Sequence, residues 1–152
     1  MKKTKYSGKL YFLSEKKLDS NNILPKVPDN YFTQSGYEDN KVKRVCLCKS
    51  IDKCLMALSK NCKDLVFNVY VIDDAYNYEI FTPSVIDVPD SIVTEELWIL
   101  SKVKARYNGK IKCTGVIPNN GYEYSYGTKT ARLYDWKYEW INCRIKNGDK
   151  DV

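Results

Sequence analysis

Residues 44–60, RVCLCKSIDKCLMALSK, constrain the fold of this chain most, because two secondary-structure signals meet in them. Apolar and cysteine side chains alternate over residues 45–48, which predicts a short two-faced strand. Ser50 then supplies a side-chain oxygen that can accept a hydrogen bond from a free N–H at a helix start. Apolar side chains follow at the helical spacing i, i+3, i+4 and i+7, namely Ile51, Cys54, Leu55 and Leu58. The segment therefore predicts a strand, a tight turn and a helix that faces a core.

This strand–helix junction has two interpretations. Backbone N–H groups converge at the start of a helix, near Ser50, and such a point can bind an anion or a phosphate. Asp52, in the first turn, favours the positive end of the helix dipole. The alternative is that Ser50 only caps the helix, which is the commoner role of a serine in this position. Ser50 is therefore a candidate ligand-binding residue with both roles open.

The length and composition of the chain predict one domain. Its 152 residues, 43% of them hydrophobic, are enough for a substantial core. Residues 1–8 are basic and residues 146–152 polar, and both are expected to be loose tails. No apolar run approaches the roughly 20 residues that span a bilayer, and the N-terminus lacks the apolar centre of a signal peptide. These features predict a cytoplasmic protein without a membrane partner.

The six cysteines are predicted to be free thiols, because no export signal precedes them. They are Cys46, Cys48, Cys54, Cys62, Cys113 and Cys143. No paired C-x-x-C is present and the chain contains no histidine, so neither a metal site nor a cofactor is predicted. The absence of histidine also removes Ser–His, Cys–His and His–metal mechanisms, and no catalytic residue is assigned.

Charge and aromatic content favour an anionic ligand. The net charge is +6, and the chain holds 13 tyrosines and 3 tryptophans. Cations that bind phosphate and rings that stack on a base suit a nucleotide. The alternative is that the tyrosines fill strands and the lysines solubilise the surface. Because the lysines are spread along the chain, we expect a small anionic nucleotide ligand, and a long nucleic acid is disfavoured.

The rest of the chain reads mostly as strands. Four stretches have strand composition or alternation: residues 9–14, 65–72, 78–82 and 96–107. Asn108-Gly109 predicts a hairpin turn before a return strand over residues 110–117, and a second turn is expected over residues 118–121. Residues 128–145 fit either a strand pair or a helix. Residues 19–43 form a long loop, which in a compact domain is usually functional. The sum is an α+β domain with a curved or split sheet and one main helix.

The order of these parts is similar to a known family. The segments LYFLS, LPKVP, YEDN, RVCLCKSIDKCLMAL, VPDS and TEELW follow one another over about residues 9–115. This order resembles the small ADP-ribosyltransferase-like domains, and within them a group of uncharacterised proteins from Gram-positive bacteria and their phages. The resemblance implies a split β-barrel-like sheet that holds a nicotinamide dinucleotide in a cleft.

Departures from the family pattern bear on activity. In many such domains the first strand reads LYH, and its histidine holds the dinucleotide. Phe12 occupies that position here, and a phenyl ring cannot donate the same hydrogen bond. These families also use a late glutamate to hold a ribose hydroxyl and stabilise the transition state. Glu95 and Glu96 are the nearest candidates and the sequence does not choose which faces a cleft; Glu38 is a third.

Each candidate has a structural alternative. Trp98 is more often core than ligand platform, and Tyr31 more often packs a loop. Lys26 and Arg44 are more often solvated than bound to phosphate, and the glutamates are usually exposed. Ser14 ends the first strand, where a cleft would open. The candidate ligand-binding residues are Phe12, Ser14, Lys26, Tyr31, Glu38, Arg44, Ser50, Glu95 and Trp98.

Three functions follow from the resemblance and the residues together. We expect a nucleotide-binding protein on an ADP-ribosyltransferase-like scaffold, for example a phage protein that sequesters an ADP-ribose-type or cyclic nucleotide immune signal. The first alternative is an active ADP-ribosyltransferase or NAD glycohydrolase, which the missing histidine disfavours. The second is a protein–protein inhibitor that uses the scaffold to bind a host protein. Fold analogy does not choose between them, because sites carry function.

Overall fold

The computed structural model of the chain describes residues 1–28, 32–33, 36–37, 39–58, 60–126 and 129–141. These residues form a mixed fold that is mostly strands with one main helix. The strands are β1 (Lys2–Thr4), β2 (Leu10–Ser14), β3 (Asn22–Ile23), β4 (Phe32–Thr33), β5 (Gly36–Tyr37), β6 (Val45–Leu47), β7 (Val66–Ile72), β8 (Ile80–Thr82), β9 (Leu97–Ile99), β10 (Val103–Lys104), β11 (Arg106–Tyr126) and β12 (Lys129–Ile141). The helices are α1 (Ile51–Ala57) and α2 (Ser91–Thr94). The predicted mixed class with one main helix is confirmed.

The main sheet curls into a half barrel. One four-stranded part has the order β12-β11-β7-β2, and another has the order β1-β8-β9-β6. A bridge between Tyr11 and Cys48 joins the two parts, with N–O distances of 2.8 and 3.2 Å. The curved sheet expected from the sequence is therefore present, and the junction lies where β2 passes the end of β6.

Strand β7 lies at the centre and is buried on both faces. Phe67 and Val69 pack on one side with Leu55 of α1. Tyr70 and Ile72 pack on the other side with residues of β6 and β9. A strand that is covered on both faces usually has a continuous run of apolar residues. The run LVFNVYVI therefore allowed the position of β7 to be predicted from the sequence.

The predicted strand, turn and helix at residues 44–60 are confirmed. Val45 and Leu47 are buried on β6, and Leu55 is fully buried on α1. Ser50 Oγ accepts a hydrogen bond from the Lys53 N–H at 3.2 Å, so this serine caps the helix. The cap satisfies one of the free N–H groups that begin every helix.

Both predicted turns around β11 are wrong. Asn108-Gly109 lies inside β11, where the pairing with β7 gains one extra residue between Tyr107 and Lys110. Residues 118–121 also lie inside β11, where the pairing with β12 shifts between Val116 and Gly121. Gly109 and Gly121 have φ of +99° and +129°. Glycine supplies a positive φ both in tight turns and in some bulges, so the two cannot be told apart from glycine alone.

Other boundaries differ from the predictions. The sequence did not decide whether residues 128–145 form a strand pair or a helix. The described part of this range is the single strand β12. Residues 96–107 form separate strands β9, β10 and the start of β11 instead of one. Within the predicted loose N-terminal tail, β1 pairs with β8, where Lys3 lies opposite Phe81. The predicted C-terminal tail, residues 146–152, lies outside the described residues.

The described cysteines are free, as predicted. They are Cys46, Cys48, Cys54, Cys62 and Cys113. Cys143 lies outside the described residues. Every one of the described five except Cys46 is buried, which fits their expected behaviour as small apolar residues.

Candidate functional site

A cavity of about 390 Å³ lies where β2, β6 and α1 meet the segment that follows β3. Four of the sequence-predicted residues line it: Phe12, Ser14, Lys26 and Arg44. Ser50, Glu95 and Trp98 do not line it. Tyr31 and Glu38 lie outside the described residues. The structure therefore brings together candidates from the first strand, the long loop and the start of β6.

Strand β2 supplies one wall of the cavity. Phe12 and Ser14 lie on the same face because side chains alternate along a strand. Phe12 packs in a tilted arrangement against Tyr70, with ring centroids 6.4 Å apart. The Ser14 hydroxyl donates to the Lys16 carbonyl at 2.6 Å. Phe12 therefore contributes a supported apolar surface, and Ser14 shapes the turn after the strand.

The long loop is held against the start of β6 by backbone pairing. Lys26 and Arg44 exchange two N–H···O bonds, both 3.1 Å long. This pairing brings residues 23–28 across the opening of the cavity. Lys26 is exposed, so its ammonium group lies at the rim.

Arg44 has the opposite environment. Its side chain has no solvent-exposed area. Its Nη1 donates to the Asp39 carboxylate at 3.1 Å and to the carbonyls of Asp39 and Val42, both at 2.9 Å. The guanidinium also lies 4.2 Å from the centre of the Trp98 ring. These contacts make Arg44 a structural link between β6, β9 and the loop before β6.

The two neighbouring glutamates point in different directions. Glu95 ends α2 in a left-handed conformation with φ of +56°, is exposed, and its carboxylate lies 3.4 Å from Lys49 Nζ. Glu96 is 4% exposed and lines the cavity. The sequence left this choice open, and of the two it is Glu96 that faces the cavity.

Glu96 is a buried acid with donors around it. Its Oε2 accepts a hydrogen bond from Trp98 Nε1 at 2.8 Å. Burial raises the pKa of the Glu96 carboxyl above its ordinary value, while the bond from Trp98, the Arg44 charge and a bond from the Cys46 thiol act in the opposite direction. Trp98 itself is 1% exposed, so its ring belongs to the core. The Glu96 carboxyl is thus fixed in orientation at the inner wall.

Sequence reasoning missed Lys60 and the thiols. Lys60 follows α1 and lines the rim, where its Nζ lies 2.7 Å from a Glu15 carboxylate oxygen. A hydrogen bond with the Cys54 thiol, together with burial, raises the pKa of Cys48. Both residues line the cavity, and the raised pKa keeps Cys48 in the thiol form, which is less reactive than the thiolate. No motif marks Lys60, whose role depends only on where α1 ends.

Charged groups line the cavity at different degrees of burial. Lys26 and Lys60 are exposed and lie at its rim, whereas Glu96 and the Arg44 guanidinium are buried in its wall. Between them the walls are mostly apolar and include Phe12 and Leu58. Such a site fits a ligand with an anionic end, a flat apolar middle and hydrogen-bond donors at the other end. Within the described part of the chain, no group of three or more His, Cys, Asp or Glu side chains could hold a metal ion.

A second, more open groove of about 730 Å³ lies beside β1. Its lining includes Lys3, Tyr6, Tyr76 and Tyr78, none of which was a predicted site residue. The Lys3 ammonium is already 3.0 Å from Glu79. This groove provides an internal comparison for any ligand-mapping experiment.

Comparison with known proteins yields no match to a family model, to a curated protein or to a solved structure. In the described residues, no helix has the length and apolar character needed to cross a membrane.

Proposed function

We propose that this chain binds a small nucleotide-type anion in the cavity between β2, β6 and α1, and holds it without turnover. The single observation that carries the proposal is that one cavity combines rim cations, a ring and an inner acceptor. Lys26 and Lys60 would bind the phosphate, and Phe12 would pack against the base.

Size and chemistry support this assignment. A volume of about 390 Å³ lies in the range of small-molecule sites, which are mostly apolar with a few placed polar groups. Each lysine ammonium offers three donors, and bonds between charged groups and phosphate are among the stronger ones. A cavity of this size suits one small ligand better than a long nucleic-acid strand, which needs an extended groove.

The proposal extends to an ADP-ribosyltransferase-like scaffold. Support comes from the order of β2, the loop, β6 and α1, and from a sheet that curls. Phe12 lines the cavity at the position where such domains often carry a histidine. A phenyl ring offers no proton and no polar hydrogen bond, which favours binding over catalysis. On this proposal the protein is cytoplasmic and sequesters a nucleotide signal of the ADP-ribose or cyclic type.

Thermal unfolding with a panel of nucleotides tests the proposal. The panel comprises mononucleotides, ADP-ribose, cyclic dinucleotides and NAD. A ligand at 100 times its Kd should raise the free energy of unfolding by about 2.7 kcal/mol and raise the Tm accordingly. Chromatography of the ligand after heating the complex should recover it unchanged. A Tm that no nucleotide changes contradicts binding, and consumption of NAD contradicts binding without turnover.

A matched pair of variants locates the site. Lys26→Ala removes a rim cation, whereas Lys63→Ala removes an exposed lysine that does not line the cavity. The ligand-induced rise in Tm should shrink in the first variant and persist in the second. Equal rises in both variants would place the ligand elsewhere, and co-purification of a host protein with no nucleotide response would favour the inhibitor alternative.

A further inference from the structure

Glu96 has acceptor capacity that the described residues do not fill. An ionised carboxylate has about four lone-pair positions. Two donors from described residues, the Trp98 indole N–H and the Cys46 thiol, bond to this side chain. Glu96 is 4% exposed and lines the cavity, so a molecule in the cavity can supply further donors to it.

A buried carboxylate in an apolar cavity is costly unless it is hydrogen-bonded. The indole N–H of Trp98 needs only one acceptor, which a neutral amide could provide. The ion pair of Arg44 is made with Asp39, at 3.1 Å. The Arg44 charge also stabilises the ionised Glu96 carboxylate. A glutamate at this wall therefore offers more acceptor positions than the Trp98 and Cys46 donors fill, and this residue lines the cavity.

The unfilled acceptor positions of the Glu96 carboxylate would distinguish nucleobases by the hydrogen-bond donors on their edges. Guanine presents two adjacent donors, N1–H and the N2 amino group, which match the two oxygens of a carboxylate. Hypoxanthine keeps only N1–H. Adenine presents an amino donor next to the acceptor N1, which a carboxylate repels. The rim lysines then meet the phosphate at the far end of the same ligand.

We propose that Glu96 is a specificity-determining residue that makes the cavity prefer guanine nucleotides. Its carboxylate accepts hydrogen bonds from N1–H and the N2 amino group while Lys26 and Lys60 bind the phosphate. This inference rests on the proposed nucleotide binding and narrows its ligand class: it favours a guanine-containing cyclic nucleotide over an ADP-ribose-type ligand, whose base is adenine. Burial raises the pKa of Glu96, but two additional donors from a bound base favour the ionised form.

Calorimetric titration with the 5′-monophosphates of guanosine, inosine and adenosine tests the inference. Hydrogen bonds to a charged group contribute enough to separate ligands by about 10- to 150-fold in affinity. The intact protein should bind the guanosine nucleotide tightest, the inosine nucleotide less tightly and the adenosine nucleotide least. Glu96→Gln should remove most of the preference for guanosine.

Glu95→Gln is the matched control, because it makes the same chemical change at the exposed neighbour. It should keep the order of affinities of the intact protein. Guanosine monophosphate methylated at N1 provides a test that needs no variant, and this ligand should bind at least about tenfold more weakly than the unmethylated one.

The outcomes separate the two proposals. Equal binding of the three nucleotides, or a guanosine preference that persists in Glu96→Gln, overturns the role of Glu96 and leaves nucleotide binding in place. Tightest binding of the adenosine nucleotide also overturns it. Failure of all three to bind overturns this inference, and the nucleotide proposal falls with it when no member of the wider panel raises the Tm. If Glu96→Gln does not fold, the N1-methyl comparison with the intact protein decides.

Discussion

The rim and the interior of the cavity each carry a positively charged side chain, but the two side chains differ in their environment. Lys26 and Arg44 are joined by two backbone hydrogen bonds, yet one cation is exposed and the other has no exposed side-chain area. Arg44 binds Asp39, the Val42 carbonyl and the face of Trp98, whereas Lys26 opens toward solvent. A cation enclosed by the fold stabilises the fold, whereas a cation at the opening of a cavity lies where a ligand would enter.

The same contrast separates Glu95 from Glu96. The left-handed turn at Glu95 directs that side chain outward, toward Lys49. The next residue then enters the interior and accepts the Trp98 N–H. A shift of one position along the chain therefore separates an exposed carboxylate, which pairs with Lys49, from a carboxylate in the cavity wall. We expect substitutions of the buried residues to change stability and substitutions of the rim cations to change ligand affinity.

Arg44→Ala should have the largest effect, and on stability. The Arg44 side chain is enclosed, whereas its partner Asp39 is 19% exposed, so the loss should lie toward the lower end of the roughly 3–5 kcal/mol that breaking a buried ion pair costs. Urea unfolding should show a loss of this order. Lys26→Ala, the control at the rim, should change the free energy of unfolding by no more than about 0.5 kcal/mol. A loss below about 1 kcal/mol in Arg44→Ala would show that the interior cation is dispensable.

Lys26→Ala should instead affect binding. Loss of a charge-assisted bond to phosphate should lower nucleotide affinity by about 1.5–3 kcal/mol. Calorimetry measures this change directly, and Lys63→Ala should bind as the intact protein does. Unchanged affinity in folded Lys26→Ala would remove the rim cation from the site.

The pH dependence of stability should distinguish Glu96 from Glu95. Because burial raises the pKa of Glu96 above its ordinary 4.5, the folded state binds this proton more tightly than the unfolded state. The resulting stabilisation is fully present below pH 4.5 and is lost as the pH rises through the raised pKa. Glu96→Gln should therefore lose less stability over this rise than the intact protein. A pH profile identical to that of Glu95→Gln would contradict the buried environment.

Lys60→Ala should have only a small effect on stability. Its partner Glu15 lies 2.7 Å away, but both side chains are more than 40% exposed. Exposed pairs contribute about 0–1 kcal/mol, and salt screens them. Urea unfolding should place the change within that range, while nucleotide affinity falls because a rim cation is lost. A stability loss above about 2 kcal/mol would mean that Lys60 acts as an interior charge.

Local signals made part of this structure predictable. The Ser50 cap and the spacing of Ile51 and Leu55 define α1 without reference to the rest of the chain. The apolar run of β7 identified a strand buried on both faces. Phe12 and Lys26 were each named as candidate ligand-binding residues and both line the cavity, although nothing in the sequence predicted the cavity itself.

The remaining features depend on long-range geometry. Gly109 and Gly121 were interpreted as turn residues. Both have a positive φ inside the long strand β11, where the pairing with β7 or β12 shifts in register. Burial of Arg44 requires Trp98, which is distant in sequence. Lys60 reaches the rim only because α1 ends beside β2. No local sequence pattern predicts these contacts, because each arises from the packing of elements that are distant in sequence.

Amide chemical-shift mapping during titration with guanosine 5′-monophosphate tests the central claim most directly. The cavity account predicts that the shift changes concentrate at residues 12–14, Lys26 and residues 57–60, with little change beside Tyr6 and Tyr76 of the open groove. Changes centred on that groove, or no changes at a ligand concentration that saturates the calorimetric signal, would contradict the cavity as the nucleotide site.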